Sequence, residues 1–242
     1  MRYGIFSDVH SNLEALEAVI KEYKKEAIDT YLCLGDVVGY AANPNECVDK
    51  VKRLARVTVC GNHDWASVGL FSANYFNPVA GEAINWTKHY LNDEAWVFLE
   101  SLKTVYEFDD LTLVHGTLDN PADFNYMVDC YDASETFELL NSNVCFVGHT
   151  HVAGVFIQDQ HKNIRYSNPS SLGLKDGNRC IVNVGSVGQP RDDNPAAAYC
   201  IYDTHKNEIL IKRIGYDVGV TRNKIIDAGL PRFLGDRLIA GR

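Results

Sequence analysis

The sequence predicts an α/β fold carrying two β-sheets, on three observations. Strand-like and helix-like segments alternate with short links over the first sixty residues, strand-like runs dominate from Val144 onward, and Asp, Asn and His side chains gather where strands end.

Taken in order, Arg2 to Ser7 reads as a short buried strand. Ser11-Asn12-Leu13-Glu14 has the pattern of a capping box opening a helix, with Leu13, Leu16, Val19, Ile20 and Tyr23 on one face. Tyr31 to Leu34 is the next strand. Asn43-Pro44-Asn45-Glu46 then supplies an N-cap, a first-turn proline and an acid for a second helix striped by Cys47, Val48, Val51 and Leu54. With Arg56 to Cys60 as a third strand, two helical crossovers demand a parallel sheet. From Pro78 to Leu102 run two helical patterns, the second opened by Asn92-Asp93-Glu94 and carrying Trp96, Val97, Leu99 and Leu102. Thr104 to Phe108 and Leu111 to His115 flank Asp109-Asp110 as a hairpin. A helix over Ala133 to Leu140 leads to the strand Val144 to Val147. Strand-like runs follow at Ala153 to Ile157, Asn163 to Tyr166, Cys180 to Val184, Ala197 to Tyr202 and Ile209 to Ile214, which predict a second, more antiparallel sheet. Helical spacing from Val218 to Ala240 breaks at Gly229-Leu230-Pro231. Without a repeat or linker, the expectation is one domain over 1–242, a motif-bearing core over 1–215 and a helical tail over 216–242.

Composition narrows the classes. The chain has 242 residues, 46% hydrophobic and 23% charged, as soluble globular proteins do. Its 23 basic against 32 acidic residues leave a net charge of -9, which argues against a groove for long nucleic acid. No run approaches the roughly 20 apolar residues that cross a bilayer, and Asp8 interrupts the start before a signal sequence could develop, so a cytoplasmic protein with no membrane partner is expected. Seven scattered cysteines read as reduced, mostly core residues.

Chemistry concentrates at strand ends. Asp8 and His10 follow the first strand, Gly35-Asp36 the second and Gly61-Asn62-His63-Asp64 the third; His115 ends its strand, and Gly148-His149-Thr150-His151 follows Val144 to Val147. Ligands bind open α/β sheets at that edge. Five of the eight histidines lie there. Asp8, Asp36, Asn62, His10, His115, His149 and His151 make an oxygen and nitrogen donor set without thiolate, suited to manganese, iron or zinc. One ion would leave donors over, whereas two ions about 3.5 to 4 Å apart would use them all. Two such cations against two aspartates leave a surplus of positive charge that fits a phosphate.

The ordered set Asp-x-His, Gly-Asp, Gly-Asn-His-Asp, His, Gly-His-x-His resembles the calcineurin-like metallophosphoesterase superfamily, over Asp8 to His151 or about 60% of the chain. The resemblance implies a sandwich of two mixed β-sheets flanked by α-helices. It places Asp8, His10, Asp36 and His151 on a first divalent ion and Asp36, Asn62, His115 and His149 on a second, with Asp36 bridging. His63 would contact the phosphate and protonate the leaving group, oriented by Asp64. The activity implied is hydrolysis of small phosphodiesters, nucleotides or phosphomonoesters by a metal-bridging hydroxide, with manganese or iron ahead of nickel, zinc, cobalt or magnesium. Asn62 and His63 would also touch substrate. Alternatives are a dinucleoside polyphosphate hydrolase, a protein phosphatase, a nuclease, or a metal-free scaffold of the same fold. The first two are weakened because no arginine follows in Asp36-Val37-Val38-Gly39-Tyr40. Gly35 to Glu46 and Gly185 to Asp192 are similar to a prokaryotic group of small metallophosphoesterases labelled phosphodiesterase or diadenosine-tetraphosphatase-like.

Arg191, after the glycines of Gly185-Ser186-Val187-Gly188, is a candidate phosphate or base contact, or else a surface arginine paired to Asp192 or Asp193. Tyr40 and Tyr126 are candidate pocket walls, and Phe124 reads first as core. The C-terminal helices are expected to pack on the sheet or on a second copy in a homo-oligomer.

Overall fold

The computed structural model describes residues 1–108 and 110–242. Asp109, half of the expected hairpin turn, lies outside the described residues. In chain order the strands are β1 (Arg2–Phe6), β2 (Thr30–Cys33), β3 (Val57–Thr58), β4 (Val105–Phe108), β5 (Leu111–Val114), β6 (Val144–Val147), β7 (Gly154–Gln158), β8 (Ile164–Ser167), β9 (Ser171–Gly173), β10 (Arg179–Asn183), β11 (Ala197–Asp203) and β12 (Glu208–Ile214). The helices are α1 (Leu13–Tyr23), α2 (Pro44–Leu54), α3 (Asn62–Ser67), α4 (Pro78–Tyr90), α5 (Asp93–Glu100), α6 (Cys130–Leu139), α7 (Val218–Asp227) and α8 (Arg232–Ala240).

Two six-stranded mixed sheets face each other, ordered β3-β2-β1-β11-β12-β9 and β4-β5-β6-β10-β7-β8. The sheets do not divide the chain into halves. β1 pairs in parallel with β2 on one edge, and its other edge takes β11 antiparallel, Ile5 opposite Cys200. The late strands β11 and β12 therefore complete the first sheet, while β10 inserts in parallel beside β6 in the second. Side-chain alternation explains why β11 suits a central place: Cys200 and Tyr202 face the core between the sheets, while Ala197, Tyr199 and Ile201 face the outer helices. β6 reads the same way, with Val144 and Phe146 turned inward and Cys145 and Val147 turned toward α6.

Local signals were shifted in four places. The N-cap of α1 is Asn12, whose side chain accepts from the Ala15 amide at 3.1 Å, so Ser11 and Glu14 do not form the expected box. Glu14 instead accepts from Thr221 and Lys224 of α7. Asn43 caps nothing with its side chain, which bonds Glu46 and Lys224. β3 keeps two residues because the chain turns at once into the Gly61 loop, and the three-residue edge strand β9 has too few alternating apolar residues to announce itself.

The tail folds back beside the strand ends. Ile225, Leu230, Leu234 and Leu238 pack with Ala80 and Ala83 of α4 and with Tyr40. Replacing Phe146, fully buried between the sheets, by alanine is expected to lower the unfolding free energy by about 3–5 kcal/mol in urea titrations; a loss below about 1 kcal/mol would contradict this packing.

Candidate metal centre and cleft

The loops after β1, β2, β3, β5 and β6 meet at one edge of the sandwich. They are laced by main-chain bonds: the Asp8 amide donates to Gly35 O at 3.0 Å, the His10 amide to Asp36 O at 2.9 Å, the Gly148 amide to His115 O at 2.9 Å, and the Gly188 amide to Asp8 O at 2.8 Å. Asp8, His10, Asp36, His149 and His151 all have φ between 48° and 67°. Left-handed non-glycine residues cost free energy, so five of them at one edge mark a place where side-chain direction outranks backbone comfort. Close approach also dictates glycine: a Cβ on Gly61 would lie 2.1 Å from Asp36 Oδ1, and one on Gly148 would lie 2.6 Å from Asp8 Oδ2.

The donors form two groups. One atom each from Asp8, His10, Asp36 and His151 lies within 4.8 Å of the others, as does one each from Asp36, His115 and His149. Asp36 belongs to both. Its Oδ1 accepts from the His63 amide at 2.9 Å, while Oδ2 lies 3.5 Å from His10 Nε2 and 3.3 Å from His115 Nε2. Asp8 turns Oδ2 to the His149 amide and leaves Oδ1 without a hydrogen bond, 3.2 Å from His151 Nε2.

Proton placement decides what this cage fits. His10 Nδ1, His115 Nδ1 and His151 Nδ1 each face a main-chain carbonyl, of Val38, Leu34 and Gln189, so a neutral ring carries its proton there and points a bare Nε2 inward. Yet His10 Nε2 and His151 Nε2 are 3.1 Å apart, as are His115 Nε2 and His149 Nδ1. Lone pairs that close repel unless a cation lies between them. The buried Oδ1 of Asn62 has no partner either. These residues fit a pair of divalent ions, and they could hold them in the grouping expected from the resemblance.

Charges in the bare cage point the same way. Burial opposes ionisation of Asp8, but His151 and His115 outweigh it and hold the carboxyl well below the usual range; His115 and His63 do the same for Asp36. Burial pushes His149 down to about 3 and His63 down to about 4. His115 alone is carried up to about 9, because Asp36 overcomes its burial.

Asp64 requires a correction. It does not touch the His63 ring: Oδ1 accepts from the Val37 and Val38 amides at 2.8 and 3.2 Å, and Oδ2 from the Gly61 amide at 3.0 Å. Its carboxylate thus ties the loop after β2 to the loop after β3. Burial, with Asp36 beside it, lifts Asp64 to about 7. His63 Nδ1 is buried without a partner, and its ring packs among Tyr40, Phe76 and His10.

A cleft of about 770 Å³ opens beside the cage, and Asn62, His63, His149 and Arg191 line it. Asp192 and Asp193 pair with Arg213 and Arg242 instead of Arg191. Arg191 donates to Gln189 Oε1 at 3.0 Å and to Tyr40 Oη at 3.1 Å. Tyr40, Tyr126 and Phe124 all reach the cleft, Phe124 while buried and Tyr126 stacked on His149 at 4.0 Å. Sequence reading missed Arg237 of α8, which also lines it; the tail does more than pack, and only its return to Tyr40 reveals that.

Residues 1–207 match the model of the calcineurin-like phosphoesterase superfamily domain. The chain belongs to that superfamily. A crystal structure of a metallophosphoesterase from Sphaerobacter thermophilus is similar at 40% identity, with a TM-score of 0.90, over 100% of this chain and 99% of that one. Uncharacterized protein MJ0912 of Methanocaldococcus jannaschii is 38% identical over 243 residues, 99% of this chain and 98% of its own. Hypothetical protein PH1004 of Pyrococcus horikoshii shares the fold at 18% identity, with a TM-score of 0.77, over 100% of this chain and 98% of that one.

Asp64→Ala strips three buried amides of their acceptor and is expected to cost about 1–3 kcal/mol or more, read as a melting temperature lower by roughly 2–4 °C per kcal/mol. Unchanged melting with a loss confined to turnover would instead return Asp64 to an orienting role on His63.

Proposed function

We propose that this superfamily member is a dinuclear metal-dependent phosphoesterase acting on small phosphodiesters, nucleotides or phosphomonoesters. The observation that carries the reading is Asp36, a member of both donor groups, whose Oδ2 lies 3.5 Å from His10 Nε2 and 3.3 Å from His115 Nε2. Asp8, His10, Asp36 and His151 would hold one ion and Asp36, Asn62, His115 and His149 the other. When bound, two divalent ions polarise phosphoryl oxygens and make water a nucleophile near neutral pH. Manganese or iron suits the mixed donors best.

The chain's own residues supply the rest. His63 Nδ1 is closed off against Gly39, where an added Cβ would meet it at 2.5 Å, which leaves Nε2 as the atom that can pass a proton to the cleft. Burial keeps the free ring neutral, with a pKa of about 4. An incoming phosphate supplies the negative charge that burial withholds, raises that value and allows Nε2 to carry a proton to the leaving oxygen. Asn62 and Arg191 steer the phosphate. The cleft's size admits a small molecule, and the seven unpaired cysteines agree with a reducing cytoplasmic setting.

His63→Ala is expected to retain its metals and lose about 10²- to 10⁴-fold in kcat, most on alkyl diesters and least on 4-nitrophenyl esters, whose leaving group needs no proton. Steady-state assays on both ester types of the manganese-loaded chain test this. Equal losses on both would remove the general-acid role; no hydrolysis of any phosphoester by the parent chain would remove the proposed function.

A further inference from the structure

Beyond the donor cage the cleft carries two guanidiniums. Arg191 comes from the loop after β10, and Arg237 comes from α8 at the far end of the sequence. Among the described residues, neither forms an ion pair with an Asp or Glu side chain. Arg191 donates to Gln189 and Tyr40, both neutral, and Arg237 Nε donates to the main-chain oxygen of Arg242. The adjacent acids are already committed, Asp192 to Arg213, Asp193 to Arg242 and Asp236 to Arg222 and Arg232. Asp123, on the short turn before Phe124, is the one carboxylate lining this cleft among the described residues.

Position gives the pair its meaning. Tyr40 packs its ring at 4.5 Å against both His10 and His63 and receives the Arg191 bond on its hydroxyl, so Arg191 stands one ring away from the donor cage. The tail packing that holds α8 on Tyr40 sets Arg237 on the same wall. A second wall is aromatic: Phe71 stacks on Tyr75 at 5.2 Å, and Tyr75 is 79% exposed at the cleft. Exposed, mutually supported rings beside an anion site suit a planar base.

We propose that Arg191 and Arg237 form a second phosphate subsite, so that the preferred substrates are nucleotides bearing at least two phosphoryl groups, one over the donor cage, the next between the arginines and the base against Phe71 and Tyr75. This rests on the phosphoesterase reading for the first phosphate. A simple phosphomonoester over the donor cage would engage Arg191 alone and leave Arg237 unused. A guanidinium grips two phosphate oxygens in parallel, and such charge-assisted bonds are worth about tenfold or more in affinity.

Calorimetry on the manganese-loaded full chain with AMP and with adenosine 5′-(α,β-methylene)diphosphate reads binding without turnover. The diphosphate analogue is expected to bind at least about tenfold more tightly than AMP. Arg237→Gln should collapse that ratio toward one, Arg237→Lys should restore part of it, and far-UV circular dichroism should report an intact fold. Equal affinities in the parent, or a ratio that survives Arg237→Gln, overturns the subsite. Hydrolysis of phosphoesters is read separately, so loss of the subsite leaves the phosphoesterase reading standing, and an inactive chain that still prefers the diphosphate refutes only the chemistry.

Discussion

Two carboxylates and four imidazoles share one buried space, and their inward ring nitrogens approach to 3.1 Å in two pairs. Asp36 is the centre of that constraint. Its Oδ2 faces the Nε2 atoms of His10 and His115, whose outer nitrogens are already spent on carbonyls. Burying such a set without countercharge is costly by several kcal/mol per ion even after relaxation. In the bare chain a proton on His115 partly answers the need, its pKa carried up to about 9 by Asp36. Divalent cations answer it fully, and the rest of the edge is arranged to admit them.

That arrangement is expensive in backbone terms. Five donors sit in left-handed conformations, each costing on the order of 1–3 kcal/mol. The fold recovers this by interlocking: amides of one loop are satisfied by carbonyls of the next, and Asp64 closes the loops after β2 and β3 with three amides. Stability and function are thus tied together here, since the bonds that keep the loops folded also aim the ligands.

Most of the cage was legible because its residues occur as short strings at the ends of apolar runs. Val144 to Val147 followed by Gly148-His149-Thr150-His151 fixes both a strand and two donors by adjacency alone. What escaped depended on distance or on rivalry among equivalent side chains. The resemblance implies that Asp64 orients His63, but three amide donors converge on its carboxylate in the fold. Asn12 and Ser11 could each cap α1, and the left-handed turn at Ser11 gives the cap to Asn12. β11 and β12 carry no sign that they complete the first sheet, because pairing Ile5 with Cys200 spans most of the chain. Arg237 was silent for the same reason: only the packing of Leu234 and Leu238 near Tyr40 brings it to the cleft.

The constraint at Asp36 is most directly tested by counting metals. Full-length protein loaded with manganese and freed of excess ion is measured by inductively coupled plasma mass spectrometry beside Asp36→Ala. Two ions per parent chain and loss of both in the variant are expected, because each donor group then lacks the carboxylate that Asp36 contributes to both. One ion or none in the parent, or two retained by Asp36→Ala with full hydrolysis, would contradict that constraint.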